Sequence, residues 1–154
     1  MIPAAFDYKR AGSSEEAVAL IAEYGDEAKF LAGGHSLLPM MKLRLAVPTV
    51  LVDIGRVGDL SYIDDRDDHI AIGALATHRS LETSELLIAE CPILAHVASK
   101  VGDPQVRHRG TIGGSLAHSD PASDLPAAVL ALGGSLIAQG PNGEREVQVS
   151  DFFT

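Results

Sequence analysis

Apolar and polar positions alternate through Ala5-Phe6-Asp7-Tyr8-Lys9, the period of a short strand, and Ser13 or Ser14 then precedes an apolar stripe of Ala17, Leu20, Ile21 and Tyr24 that Gly25 closes. This predicts a strand followed by an amphipathic helix. Ala28-Lys29-Phe30-Leu31 reads as a second strand running into Ala32-Gly33-Gly34-His35-Ser36. A helix over Leu37 to Leu43 follows, with Pro39 tolerated in its first turn, and Val50-Leu51-Val52-Asp53-Ile54 reads as a buried strand stopped by Gly55. Residues 1–56 are therefore expected to form a compact α/β lobe.

The texture changes after residue 57. Leu60 to Asp64 and His69 to Gly73 are short alternating runs on either side of an acidic turn, the grammar of a hairpin. Thr77 or Ser80 opens a short helix, and Pro92 starts another that runs to about Lys100. Asp103-Pro104 and Gly110 break the chain before a second glycine-rich loop, Thr111-Ile112-Gly113-Gly114-Ser115. A helix over Leu125 to Leu132 with Asp124 as its cap comes next, then two strands, Ser135 to Ala138 and Glu146 to Val149, around Gly140-Pro141-Asn142-Gly143. Residues 57–154 thus read as a second lobe, α+β in character, ending abruptly on Asp151-Phe152-Phe153-Thr154. No internal repeat is evident.

Composition narrows the possible functions. With 154 residues and 46% apolar content the chain can build a core without staples, and its single cysteine, Cys91, cannot form an internal disulfide. The first residues lack the basic region and long apolar run of a secretory signal, which predicts a cytoplasmic chain. A net charge of -9, no tryptophan and no Lys/Arg cluster argue against nucleic-acid binding. Leu125 to Ala138 is the longest weakly polar stretch and is too short and too rich in Pro and Gly to span a bilayer. Asp64, Asp65, Asp67 and Asp68 lack the glycine and closing glutamate of a calcium loop and read as a solvated turn. The six histidines show no metal-ligand spacing, so no metal site is assigned.

The candidate chemistry lies in the two Gly-Gly segments. Paired glycines let a backbone approach a ligand without an intervening Cβ, so successive N–H groups can face an anion while Ser and Thr hydroxyls add donors. Neither segment carries the Gly-Lys-Ser/Thr of a P-loop or the Gly-x-Gly-x-x-Gly of a dinucleotide-binding unit. Spacing alone leaves open whether the pair grips a diphosphate from both sides or consists of two tight turns. Asp120 and Asp124 follow the second segment; Asp124 is read either as a helix cap or as an acceptor for a ligand hydroxyl.

Taken together, Ala32-Gly33-Gly34-His35-Ser36-Leu37-Leu38-Pro39, Thr111-Ile112-Gly113-Gly114-Ser115 and Asp120-Pro121-Ala122-Ser123-Asp124-Leu125-Pro126 resemble the FAD-binding subunits of molybdenum hydroxylases, aerobic carbon monoxide dehydrogenases in particular. The resemblance spans essentially the whole chain. It implies an α+β fold of the vanillyl-alcohol oxidase type, a small α/β lobe and a second lobe of antiparallel sheet with helices, with FAD between them. By position, Ala32, Gly33, Gly34, His35, Ser36 and Leu37 with Thr111, Ile112, Gly113, Gly114 and Ser115 would hold the FAD diphosphate, and Asp124 would bond its sugar or ribityl part. Lys29 and Val101 match positions lining the site in some relatives.

In that family a molybdenum-cofactor large subunit oxidises the substrate, an iron–sulfur small subunit relays electrons, and the flavin passes them to NAD, a quinone or another acceptor. Two departures stand out. Ser115 replaces the asparagine usual in relatives, and the family's flavin subunit continues beyond Phe152-Phe153 into a further domain. The chain is therefore expected to be a fragment, and the competing expectation is a non-catalytic interaction module of the same fold that holds no flavin.

Overall fold

A computed structural model describes residues 2–153. Strands β1 (Asp7–Arg10), β2 (Ala28–Leu31) and β3 (Val50–Asp53) form a parallel sheet in the order β1-β3-β2. The central strand is apolar at three successive positions, Val50, Leu51 and Val52, and all three are buried. That continuity marks a strand covered on both faces. Parallel neighbours need crossovers, and α1 (Ser14–Tyr24) and α2 (Leu37–Lys42) supply them. The α1 helix starts where Ser13 accepts from the Glu16 amide and the Glu16 carboxylate accepts from the Gly12 amide. It stops at Gly25, whose φ of 55° suits a residue without a Cβ.

Helices outweigh strands in the rest of the chain. Strands β4 (Ile63–Asp65) and β5 (Ile70–Ile72) form the expected hairpin around the acidic turn, in which Asp65 accepts from the Asp67 amide and Arg66 pairs with Asp64. Then come α3 (His78–Thr83), α4 (Glu85–Glu90), α5 (Pro92–Lys100), α6 (Pro104–Arg107), α7 (Ile112–His118) and α8 (Asp124–Leu132). A second hairpin of β6 (Ser135–Gly140) and β7 (Gly143–Gln148) precedes the short α9 (Val149–Phe152).

Several expectations need correction. The second glycine-rich segment is no loop: Thr111 caps α7, and Gly113 and Gly114 lie inside that helix. The cap position of α8 belongs to Ser123, without a side-chain bond, and Asp124 is the first helical residue. Helices α4 and α6 fall where the sequence reading places none, each capped by its own side chain, Ser84 and Asp103. The expected mix of antiparallel strands and helices is found in the later part, its described strands pairing as two antiparallel hairpins.

Two hydrophobic clusters organise these elements. One unites Ala11, Ala17, Ala28, Val50, Val52 and Val57 with Leu75; the other unites Ala76, Leu81, Leu87, Leu94, Ala98, Ile112, Leu116 and Leu125. Leu75 belongs to the first cluster and Ala76 to the second, directly beside the segment that receives α7, while Ile63, Ile70 and Ile72 earlier in the chain already pack against the second.

A cradle where two glycine segments meet

The turn between β2 and α2 leaves backbone donors uncommitted. Among the described residues, no acceptor in the protein takes the N–H groups of Gly33, Gly34, His35, Ser36 or Leu37. Gly34 has a φ of 79°, and the Ser36 hydroxyl makes no cap bond, although Ser36 stands at the start of α2. Backbone donors seldom go unpaired unless water or a ligand meets them. His35 and Ser36 are exposed, so the run faces outward.

The Thr111–Ser115 segment is arranged differently. The amides of Ile112 and Gly113 donate to the carbonyls of Ala76 and Ala74, both at 2.9 Å, while the Gly114 amide donates to Thr111 Oγ1 at 3.1 Å and the Ser115 amide to the Thr111 carbonyl at 3.0 Å. Its amides are thus spent on holding the segment in place. What it offers outward is the bare, exposed Cα of Gly114. Gly113 is bare for a packing reason, since a Cβ there would lie 2.6 Å from the Ala74 carbonyl oxygen.

The two segments are brought together by residues that sequence reasoning missed. An ideal Cβ on Gly33 would lie 2.0 Å from the carbonyl oxygen of Arg109 and 3.0 Å from the Cα of Gly110. Gly110 is buried, its carbonyl accepts from the His78 amide at 2.9 Å, and its own bare Cα faces the imidazole, which a Cβ would meet at 2.6 Å. The His78 ring is 5% exposed and its Nδ1 has no partner. Burial, reinforced by the nearby His35, lowers its pKa below the ordinary histidine value, so the ring is held neutral. Only the isolated Gly110 ahead of the Thr111 cap hints at this junction in the sequence; nothing local singles out His78.

Asp124 connects to the same region through its neighbour. The hydroxyls of Ser115 and Ser123 lie 2.9 Å apart, and beyond them a groove of about 610 Å³ runs between α5 and α8, lined by Ile93, Lys100, Ser123, Asp124 and Ala128 among others. The Asp124 carboxylate is exposed and carries no protein hydrogen bond among the described residues. Val101, just past α5, is half-buried against the second cluster. Lys29 is exposed on β2, level with Leu51, and no hydrogen bond joins it to the other candidate residues among those described.

A parallel β-α-β-α-β unit thus carries an outward run of free amides, and a second glycine surface is locked against it. Residues 4–154 match the family described as the FAD binding domain in molybdopterin dehydrogenase, and the chain belongs to that family. It is 47% identical over 153 residues to the carbon monoxide dehydrogenase medium chain of Hydrogenophaga pseudoflava, covering 99% of this chain and 53% of the relative. The 6-hydroxypseudooxynicotine dehydrogenase complex subunit alpha of Paenarthrobacter nicotinovorans is also 47% identical, over 99% of this chain and 52% of the relative.

Among solved structures, carbon monoxide dehydrogenase from Hydrogenophaga pseudoflava lacking the Mo-pyranopterin moiety superposes with a TM-score of 0.98 over 100% of this chain and 54% of that one. Quinoline 2-oxidoreductase from Pseudomonas putida 86 follows the same fold, with a TM-score of 0.94 at 35% identity, over 98% of this chain and 53% of that one. The chain spans about half the length of the relatives it matches. Among the described residues no helix is long and apolar enough to cross a membrane.

Proposed function

We propose that the chain binds FAD as the flavin-holding part of a molybdenum hydroxylase, with the diphosphate seated at the junction of Gly33 and Gly110. The five uncommitted amides from Gly33 to Leu37 carry this reading. A diphosphate offers the acceptors they lack, and in a chain of net charge -9 such directed donors matter more than the overall field. Ala32 leads into this run, and the His35 and Ser36 side chains add donors beside it.

From the other side, the Thr111–Ser115 segment admits the ligand by its lack of bulk, Gly114 and Ser115 forming the wall. Asp124 accepts from a hydroxyl of the sugar or ribityl part, with the α5–α8 groove taking the chain of atoms beyond the diphosphate. Val101 and Lys29 flank the ligand. On this reading the domain has two lobes, residues 1–56 and 57–154, with the site where Gly33 of the first meets Arg109 and Gly110 of the second.

FAD, when bound, supplies the redox chemistry in passing electrons from iron–sulfur clusters to an external acceptor such as NAD or a quinone. The protein orients the cofactor and presents it to a molybdenum-cofactor large subunit and an iron–sulfur small subunit. A visible absorption titration of the purified chain tests the reading. Saturable FAD binding displaced by ADP and not by riboflavin is expected. Absence of saturable binding, or displacement by riboflavin as effective as by ADP, would overturn it.

A further inference from the structure

One side chain reaches both flanks of the segment that delivers Gly110 to Gly33. Arg107 Nε donates to Glu82 Oε2 at 3.1 Å, and Arg107 Nη1 donates to the carbonyl oxygen of Val101 at 3.2 Å. Arg79 donates to the same Glu82 oxygen at 3.1 Å. The Arg107 side chain is only 14% exposed. Burial alone would push the Glu82 carboxyl up, but the two guanidinium groups outweigh it and hold the group below the usual carboxylate range. The carboxylate is therefore charged and fixed, and it anchors Arg107 to α3.

The chain on either side of Arg107 has little freedom of its own. Asp103 accepts from the Val106 amide, the Arg107 amide donates to the Asp103 carbonyl, and the amides of Arg109 and Gly110 both converge on the Val106 carbonyl at 3.0 and 2.7 Å. Residues 103–110 form a closed coil whose far end is the Arg109 carbonyl packed on Gly33. Clamping this coil to α3 and to Val101 fixes its far end too.

Resting on the FAD reading above, we propose that Arg107 is a positioning residue of the flavin site: it sets the distance between the two glycine segments without touching the ligand. A guanidinium can serve two acceptors in different directions from one rigid plane, whereas a lysine ammonium presents its donors from one point. The role thus belongs to the shape of the arginine, and charge alone cannot fulfil it.

The test compares the purified chain with Arg107→Lys, Arg107→Gln, Glu82→Gln and a core control, Leu87→Val, in FAD titrations and in thermal unfolding without FAD. Arg107→Lys and Arg107→Gln are expected to weaken FAD binding about tenfold, as a lost bond from a charged donor does. Glu82→Gln, which keeps an acceptor in place but gives up its charge, is expected to weaken FAD binding by less than the Arg107 variants do. Leu87→Val is expected to lower the unfolding temperature at least as far as Arg107→Lys while leaving FAD affinity within about twofold, because it leaves the bonds of Arg107 to Glu82 and Val101 in place. Faster hydrogen exchange at the Arg109 and Gly110 amides in Arg107→Lys is the accompanying signature. Parental affinity in the folded Arg107 variants, or affinity that simply tracks unfolding temperature across the set, would overturn this inference alone. A parent chain that binds no FAD would overturn both it and the reading on which it rests.

Discussion

The carbonyl oxygen of Arg109 occupies the space where a side chain on Gly33 would begin, 2.0 Å from the ideal Cβ position. Two segments separated by more than seventy residues are thus in backbone contact, and neither can retreat without opening the site. Gly33→Ala is expected to cost about 3 kcal/mol of stability, at the upper end for overpacking, because the atom it meets is main chain and cannot rotate away. It is also expected to abolish FAD binding. Urea unfolding with a parallel FAD titration checks both. Gly25, where a Cβ would meet nothing within 4 Å, is the contrasting site: alanine there strains only the backbone and leaves FAD binding unchanged.

Stability is expected to depend on pH through His78. Its folded pKa lies below the unfolded value of about 6.5, so as pH falls through that value the unfolded chain takes up the proton first and the folded state loses ground. The contribution is fully present above about pH 6.5 and is lost progressively toward the lower folded pKa. Urea midpoints measured between pH 7.5 and 5.5 should fall, and His78→Gln should flatten the slope. An unchanged slope in that variant would assign the effect elsewhere. Asp68 and Glu15, whose carboxyls are lowered, act in a separate and more acidic window.

Thr111 and Ser123 occupy equivalent positions before their helices but do different work. Thr111 Oγ1 accepts from the Gly114 amide, whereas Ser123 makes no cap bond and pairs with Ser115 instead. Thr111→Ala is expected to cost about 1 kcal/mol, the usual value of a lost cap, and Thr111→Ser to recover most of it. Ser123→Ala is expected to cost less than half as much. Chemical denaturation of the three variants separates the cases.

Asp124 discriminates ligand binding from folding. Its carboxylate has no protein partner among the described residues, so Asp124→Asn gives up only its favourable placement in the first turn of α8, at most about 0.5 kcal/mol. The FAD dissociation constant is expected to rise about tenfold in the same variant if a ligand hydroxyl donates to it. Equal affinity for FAD in parent and variant would remove Asp124 from the site.

The first half of this architecture was legible because its punctuation is local. Strand, Gly-Gly and helix follow one another within fifteen residues, and each break coincides with a glycine, a proline or a capping hydroxyl. The Thr111–Ser115 segment reads as a loop in the sequence for an equally physical reason. Gly113 and Gly114 look like helix breakers, yet Gly113 must be bare to pack on Ala74, and that demand comes from a residue 39 positions earlier. Helix α6 is only four residues long and shows no periodicity. The junction of Arg109, Gly110 and His78 is not legible in the sequence because it lies in long-range contact: a buried histidine facing a bare Cα is invisible until the chain has folded.

The central place of β3 in the parallel sheet also bears on synthesis. Neither β1 nor β2 has a hydrogen-bonding neighbour in the sheet until Val50 to Asp53 arrive between them. A ribosome must therefore release more than fifty residues before the first lobe can close. The Arg109–Gly110 segment that packs on Gly33 is synthesised more than fifty residues after β3, so the two sides of that backbone contact are made far apart in time.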